Sequence, residues 1–239
     1  MRDDILIWDL ETVPDIEAYG RVHRLMDQTP AEIRQAMGDE FPKLVYHSIV
    51  CIGALLASPR DQGYEVRFLG ASHVGDQSER ELIRTFLDIV DRVSPRMVTF
   101  NGASFDLPVL RYRGMIHELP AHGLNDRPYF HRYRGEHVDL CDVLSSFSFG
   151  GKAKLDELSR AMGLSGKPGG MDGSRVEALF NEGRVDDIAE YCLSDVIQTY
   201  RLWLRYELFC GRLTLDQYNA SQAKVAADGE DLTKPLGVN

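Results

Sequence analysis

Asp9 and Glu11 stand two residues apart directly after the apolar run Ile5-Leu6-Ile7-Trp8, and on an extended strand that spacing puts both carboxylates on one face. Tyr191 and Asp195 stand four apart, the spacing that shares one face of a helix. Asp106 lies between them in the chain, shortly after a second apolar run, Met97-Val98-Thr99-Phe100, from which Asn101 leads off. Carboxylates crowded together without cations repel one another and resist ionisation. Divalent metal removes that penalty. A pair of hard cations about 4 Å apart on oxygen ligands is a recurrent device for in-line cleavage of phosphodiesters.

Each pattern taken singly is weak in so acidic a chain. Asp-x-Glu recurs at Asp15-Ile16-Glu17 and at Asp228-Gly229-Glu230, and Asn-x4-Asp recurs from Asn181 to Asp186. Context separates the copies, because only Asp9-Leu10-Glu11 and Asn101 follow strand-like runs, and Tyr-x3-Asp occurs once. Trp8 and Leu10 occupy the opposite phase from the acid pair and would bury the other face of the strand. Asp106 also suits the first turn of a helix leading to Arg111, a structural role compatible with a ligating one.

The order and spacing of these acids resemble the DEDD superfamily of 3′-to-5′ exonucleases, in the subgroup whose third motif carries Tyr. The flanking residues Asn101-Gly-Ala-Ser-Phe105-Asp106-Leu-Pro-Val-Leu and Tyr191-Cys-Leu-Ser-Asp195-Val-Ile-Gln-Thr-Tyr resemble the predicted exonuclease family related to the proofreading domain of family B DNA polymerases. The likeness runs from about Ile5 to about Phe209. It implies an α/β, ribonuclease H-like fold, a mixed central sheet flanked by helices. It also implies two Mg2+ or Mn2+ ions held by Asp9, Glu11, Asp106 and Asp195, with Asp9 bridging both and Glu11 reaching the terminal 3′-hydroxyl. Tyr191 would orient the attacking water, and Leu10, Thr12, Asn101 and Phe105 would lie against the terminal nucleotide. Phe105 reads equally well as a core residue. The expected substrate is the 3′ end of single-stranded nucleic acid or a frayed end, DNA in preference to RNA, releasing nucleoside 5′-monophosphates. An exoribonuclease on the same site, or a non-catalytic nucleic-acid-binding protein of the same fold, are the competing readings. A polymerase or repair partner would act in trans.

The net charge of -10 argues against a protein that coats long duplexes, since affinity for nucleic acid rests heavily on Lys and Arg neutralising phosphates. It leaves room for an enzyme that takes a terminus and lets go. Cys51, Cys141, Cys192 and Cys210 are widely spaced, which suggests neither a structural zinc site nor a disulfide framework. No apolar stretch approaches the ~18 residues of a membrane span, and no secretory leader is apparent, so a cytoplasmic protein without membrane contact is expected.

The elements that must position the acids are legible in outline. Strands are expected near 4–10, 46–57, 64–70 and 96–101, with a fifth near 136–140. Residues 78–93 show helical periodicity after a capping Ser78, and Ser94-Pro95 stops the run. One domain over 1–239 is expected, because motifs spread from Asp9 to Asp195 have to converge. Residues 12–43 read as a helical insertion with a cap at Thr29. The Gly-rich stretch 163–174 reads as a loop and not as a phosphate-binding P-loop, since Lys167 is followed by Pro168. The tail 228–239 reads as loosely held. The basic and aromatic stretch from Arg127 to Arg134 suits single strands as well as it suits a surface loop with its rings tucked in.

Overall fold

The computed structural model describes residues 3–148, 150–164 and 173–228. Its strands are β1 (Ile5–Pro14), β2 (His47–Arg60), β3 (Gly63–His73), β4 (Arg96–Thr99) and β5 (His137–Asp139). They form one mixed sheet of order β3-β2-β1-β4-β5, in which β1, β2 and β3 are antiparallel and β4 and β5 run parallel to β1. The helices are α1 (Ile16–His23), α2 (Pro30–Met37), α3 (Glu79–Val93), α4 (Asp106–Ile116), α5 (His122–Asp126), α6 (Leu140–Leu144), α7 (Leu155–Ala161), α8 (Val176–Asn181), α9 (Val185–Phe209) and α10 (Leu215–Asp228).

The central strand shows why the apolar run at the N-terminus is continuous instead of alternating. β1 has neighbours on both edges and helices on both faces, and such a strand is apolar on each side. Leu6, Trp8 and Leu10 enter one core with Phe86 of α3 and Leu107 and Leu110 of α4, while Ile5 and Ile7 enter the other with Tyr200 and Trp203 of α9. Asp9 and Glu11 continue the phase of Ile5 and Ile7, so their carboxylates face α9.

β1 extends to Pro14, four residues beyond the expected end, so residues 12–14 are strand and only 15–43 carry the helices of the insertion. The reason is pairing: Thr12, Val13 and Pro14 continue the antiparallel ladder against Ile49, Ser48 and His47, after a register shift at Glu11/Thr12. β4 is shorter than expected, ending at Thr99, because the chain turns at Asn101, whose φ is +69°. Gly102 is required in that turn, since a Cβ there would lie 2.5 Å from the Thr99 hydroxyl. The capping boxes at Thr29 and Ser78 form as the sequence predicts. Of the Gly-rich stretch, residues 165–172 lie outside the described residues, as does the tail beyond Asp228.

Candidate metal-binding site

Asp106 is set at the first turn of α4, behind Phe105 as N-cap. β4 covers β1 only as far as Ile7↔Val98. Beyond that point the backbone N–H of Leu10 donates to the Asp106 carboxylate at 3.0 Å, fixing this acid beside the strand that carries Asp9 and Glu11. The turn leading to Asp106 is held from β5: the two carboxylate oxygens of Asp139 accept from the backbone N–H of Asn101 at 2.8 Å and of Ala103 at 2.9 Å. Asp139 is also the N-cap of α6, accepting from Cys141 N–H at 3.0 Å. Nothing in its immediate sequence marks this role. The available signal was an acid at the end of a parallel strand neighbouring Asn101-Gly102.

The helix face of Tyr191 and Asp195 is brought in by close packing. Gly53 of β2 pairs with Asp9, and a Cβ on Gly53 would stand 2.8 Å from the Cys192 sulfur and 3.1 Å from Val196 Cγ2. Without that side chain, α9 settles against the sheet at the level of Asp9. Cys192 Sγ then reaches the Asp9 carbonyl at 3.6 Å. Tyr191 bonds to Asp195 on the same face and feels the charges of Glu11 and Asp9.

Glu11 and Asp106 are buried, Asp9 and Asp195 half-buried, and the electrostatics follow from that enclosure. Burial pushes the Asp106 carboxyl up to about 7, against the pull of its backbone hydrogen bonds, and the charges of Asp139 and Asp195 add to the rise. Burial, then the negative charges of Asp195, Glu11 and Asp9, pushes the Tyr191 phenol above its ordinary range, so it is a hydrogen-bond donor at neutral pH. One ligating atom each from Asp9, Glu11 and Cys192 lies within 4.8 Å of the others. Burial keeps Cys192 a neutral thiol, whereas carboxylate oxygens are the donors that hard divalent cations prefer. Carboxylate oxygen donors, with burial already disfavouring the charged form of Asp106, fit a divalent cation.

The other expected contacts are placed as follows. Leu10 turns its side chain into the core and offers only its backbone. The Thr12 hydroxyl bonds to His47 Nδ1 at 2.9 Å. Asn101 is in the turn held by Asp139. Phe105 packs partly against the core and partly against His47, ring centroids 5.2 Å apart, and Phe41, at 5.8 Å. His47 and Phe41 were not singled out in the sequence.

The stretch from Arg127 to Arg134 divides. Arg127 pairs with Asp3, the Tyr129 ring is buried with its hydroxyl on the Pro95 carbonyl, and Phe130 lies under the Arg111 guanidinium at 3.4 Å. Arg132 and Lys152 both pair with the buried Asp142, and Tyr133 is exposed. A cleft of about 810 Å3 opens beside the end of β1, lined by Val13, Asp15, Glu79 and Arg113 among others and by none of the four acids. Its charges pair with one another: Arg113 bridges Asp15 and Glu79.

Residues 39–231 match the family model described as a predicted 3′-5′ exonuclease related to the exonuclease domain of PolB, and the chain belongs to this family. The match contains Asp106, Tyr191 and Asp195 and begins after Asp9 and Glu11. A DNA polymerase 1 from Sulfurisphaera ohwakuensis is 31% identical over 139 residues, which is 53% of this chain and 15% of that polymerase. The family B DNA polymerase of the hyperthermophilic archaeon Pyrobaculum calidifontis superposes with a TM-score of 0.59 at 20% identity, over 87% of this chain and 25% of that one. The fold is thus the ribonuclease H-like α/β fold of such polymerases' exonuclease domains. Among the described residues no helix is long and apolar enough to cross a membrane.

Proposed function

We propose that the protein is a metal-dependent 3′-to-5′ exonuclease that removes nucleotides one at a time from single-stranded or frayed 3′ ends, DNA in preference to RNA. The observation that carries this reading is the hydrogen bond from the N–H of Leu10, between Asp9 and Glu11 on β1, to Asp106 of α4, whose burial and nearness to the charge of Asp195 on α9 make uncompensated charge costly. These four residues would hold two Mg2+ or Mn2+ ions, which supply a water of lowered pKa and neutralise charge on the phosphate. Glu11 and the backbone around Thr12 take the terminal 3′-hydroxyl. Tyr191, kept protonated by burial and by its acidic neighbours, donates or accepts one hydrogen bond to orient the attacking water. Leu10, Asn101 and Phe105 bound the space for the terminal nucleotide. We read the chain as one catalytic domain, with any polymerase or repair partner acting in trans.

The test is a 5′-labelled oligonucleotide carrying either a 3′-hydroxyl or a 3′-phosphate. The reading expects a stepwise ladder from the hydroxyl form alone. Internal cuts, or equal digestion of both, would refute the polarity and the role of Glu11. Matched DNA and RNA strands in the same assay decide the sugar.

A further inference from the structure

Three aromatic side chains from three separate segments meet just beyond Glu11. Phe105 caps α4, His47 opens β2, and Phe41 comes from the stretch between α2 and β2. The Phe41 ring centroid lies 5.8 Å from that of Phe105 and 5.0 Å from that of His47, yet Phe41 is 73% exposed. A large ring touching two others while most of its surface stays in water is available for a further stacking partner.

Its position is fixed by His47, which is 4% exposed and reaches to both sides. His47 Nε2 lies 3.2 Å from the carbonyl oxygen of Pro42, the residue after Phe41, and Nδ1 lies 2.9 Å from the Thr12 hydroxyl. A carbonyl only accepts, so Nε2 carries the proton and Nδ1 accepts from Thr12. Burial favours this neutral form. The imidazole therefore ties the segment bearing Phe41 to the strand residue that follows Glu11.

We propose that Phe41 extends the Phe105 ring into a stacking ledge for the base of an unpaired terminal nucleotide, making Phe41 a specificity-determining residue. This rests on the exonuclease reading and names the feature of the substrate that the site selects. A base freed from its neighbour loses its stacking, and a ring face beside the carboxylates replaces it, so an end that is already unpaired binds with less to overcome. Every base has a π-face, and the ledge accepts any of the four.

The experiment compares single strands ending in a normal 3′ nucleotide or in a 3′-terminal abasic residue, with wild type, Phe41→Ala and Phe41→Trp. For the wild type, kcat/KM should favour the base-bearing end by about tenfold, the strength of one base–aromatic stack. That ratio should fall several-fold in Phe41→Ala, where Phe105 alone is left to stack, and return in Phe41→Trp, whereas a variant that merely loosened the fold would slow both substrates alike and keep the ratio. Fluorescence anisotropy of the same oligonucleotides in Ca2+ reads the same ratio as affinity, without hydrolysis. Full discrimination retained by Phe41→Ala in either assay overturns the ledge. Loss of hydrolysis in the wild type with discrimination intact in anisotropy overturns the exonuclease reading and leaves the ledge standing.

Discussion

Asp106 shows how one residue couples stability to metal. Its carboxyl is raised in the folded chain from 3.8 to about 7, so between those limits the folded state binds more protons than the unfolded one. The Asp106 contribution should therefore cost the metal-free protein stability as pH rises through that window, in opposition to buried His137, whose pKa is pushed down to about 4 and whose contribution rises with pH. Asp106→Asn should remove the Asp106 contribution, and so should saturating Mg2+ on the wild type. Thermal melts of wild type and Asp106→Asn in chelator from pH 4 to pH 8 check this: the wild-type melting temperature minus that of the variant should fall over the range, and a difference that climbs would contradict it. Asp9→Ala should remove hydrolysis by about 100- to 1,000-fold, since several kcal/mol of charge stabilisation depends on the bound cations. The fold should persist, and without metal it should melt no lower than wild type because one of the crowded charges is gone. Tyr191→Phe, by contrast, should lower kcat and leave the metal dissociation constant nearly unchanged, as titration calorimetry would show.

At the scale of elements, the site depends on how closely α9 lies on β2. Gly53→Ala would drive a methyl into Cys192 and Val196, and overpacking of this kind costs about 1–3 kcal/mol. Because the same turn of α9 carries Tyr191 and Asp195, activity should fall by more than the stability loss explains, as a urea melt run beside the nuclease assay would reveal. A change in activity no larger than that of an equally destabilised distant variant would separate packing from catalysis. This dependence explains what was legible in the sequence. The i, i+2 and i, i+4 acid spacings are local and survive translation into strand and helix, and Ser78 and Thr29 cap where their side chains can reach their own N3 residues. The end of β1 was misplaced because Thr12 to Pro14 are held in the strand by β2, more than 30 residues away in the chain. Asp139, Phe41 and His47 carry no local pattern, and their roles arise only from partners that the sheet and its connections bring alongside.

For the molecule as a whole, the net charge is -10, and Arg127, Arg132 and Lys152 are each paired to an acid and so are not free for phosphate contacts. The footprint should be short, and the rate should fall only modestly between about 50 and 200 mM salt, in contrast to the ~10³-fold or greater losses of proteins with six or more phosphate contacts. A steep decline would mean that a basic track contributes more than these pairings allow. If the four acids direct metal-dependent attack of water at the phosphate of the last nucleotide, the oxygen of that water ends on the released mononucleotide. Running the reaction in ¹⁸O-labelled water and weighing the product reads this step. The expected product is a nucleoside 5′-monophosphate carrying a single ¹⁸O on phosphorus, formed only with divalent cation and lost in Asp9→Ala. A nucleoside 3′-phosphate, ¹⁸O carried by an oligonucleotide instead of the mononucleotide, or undiminished release in chelator would contradict it.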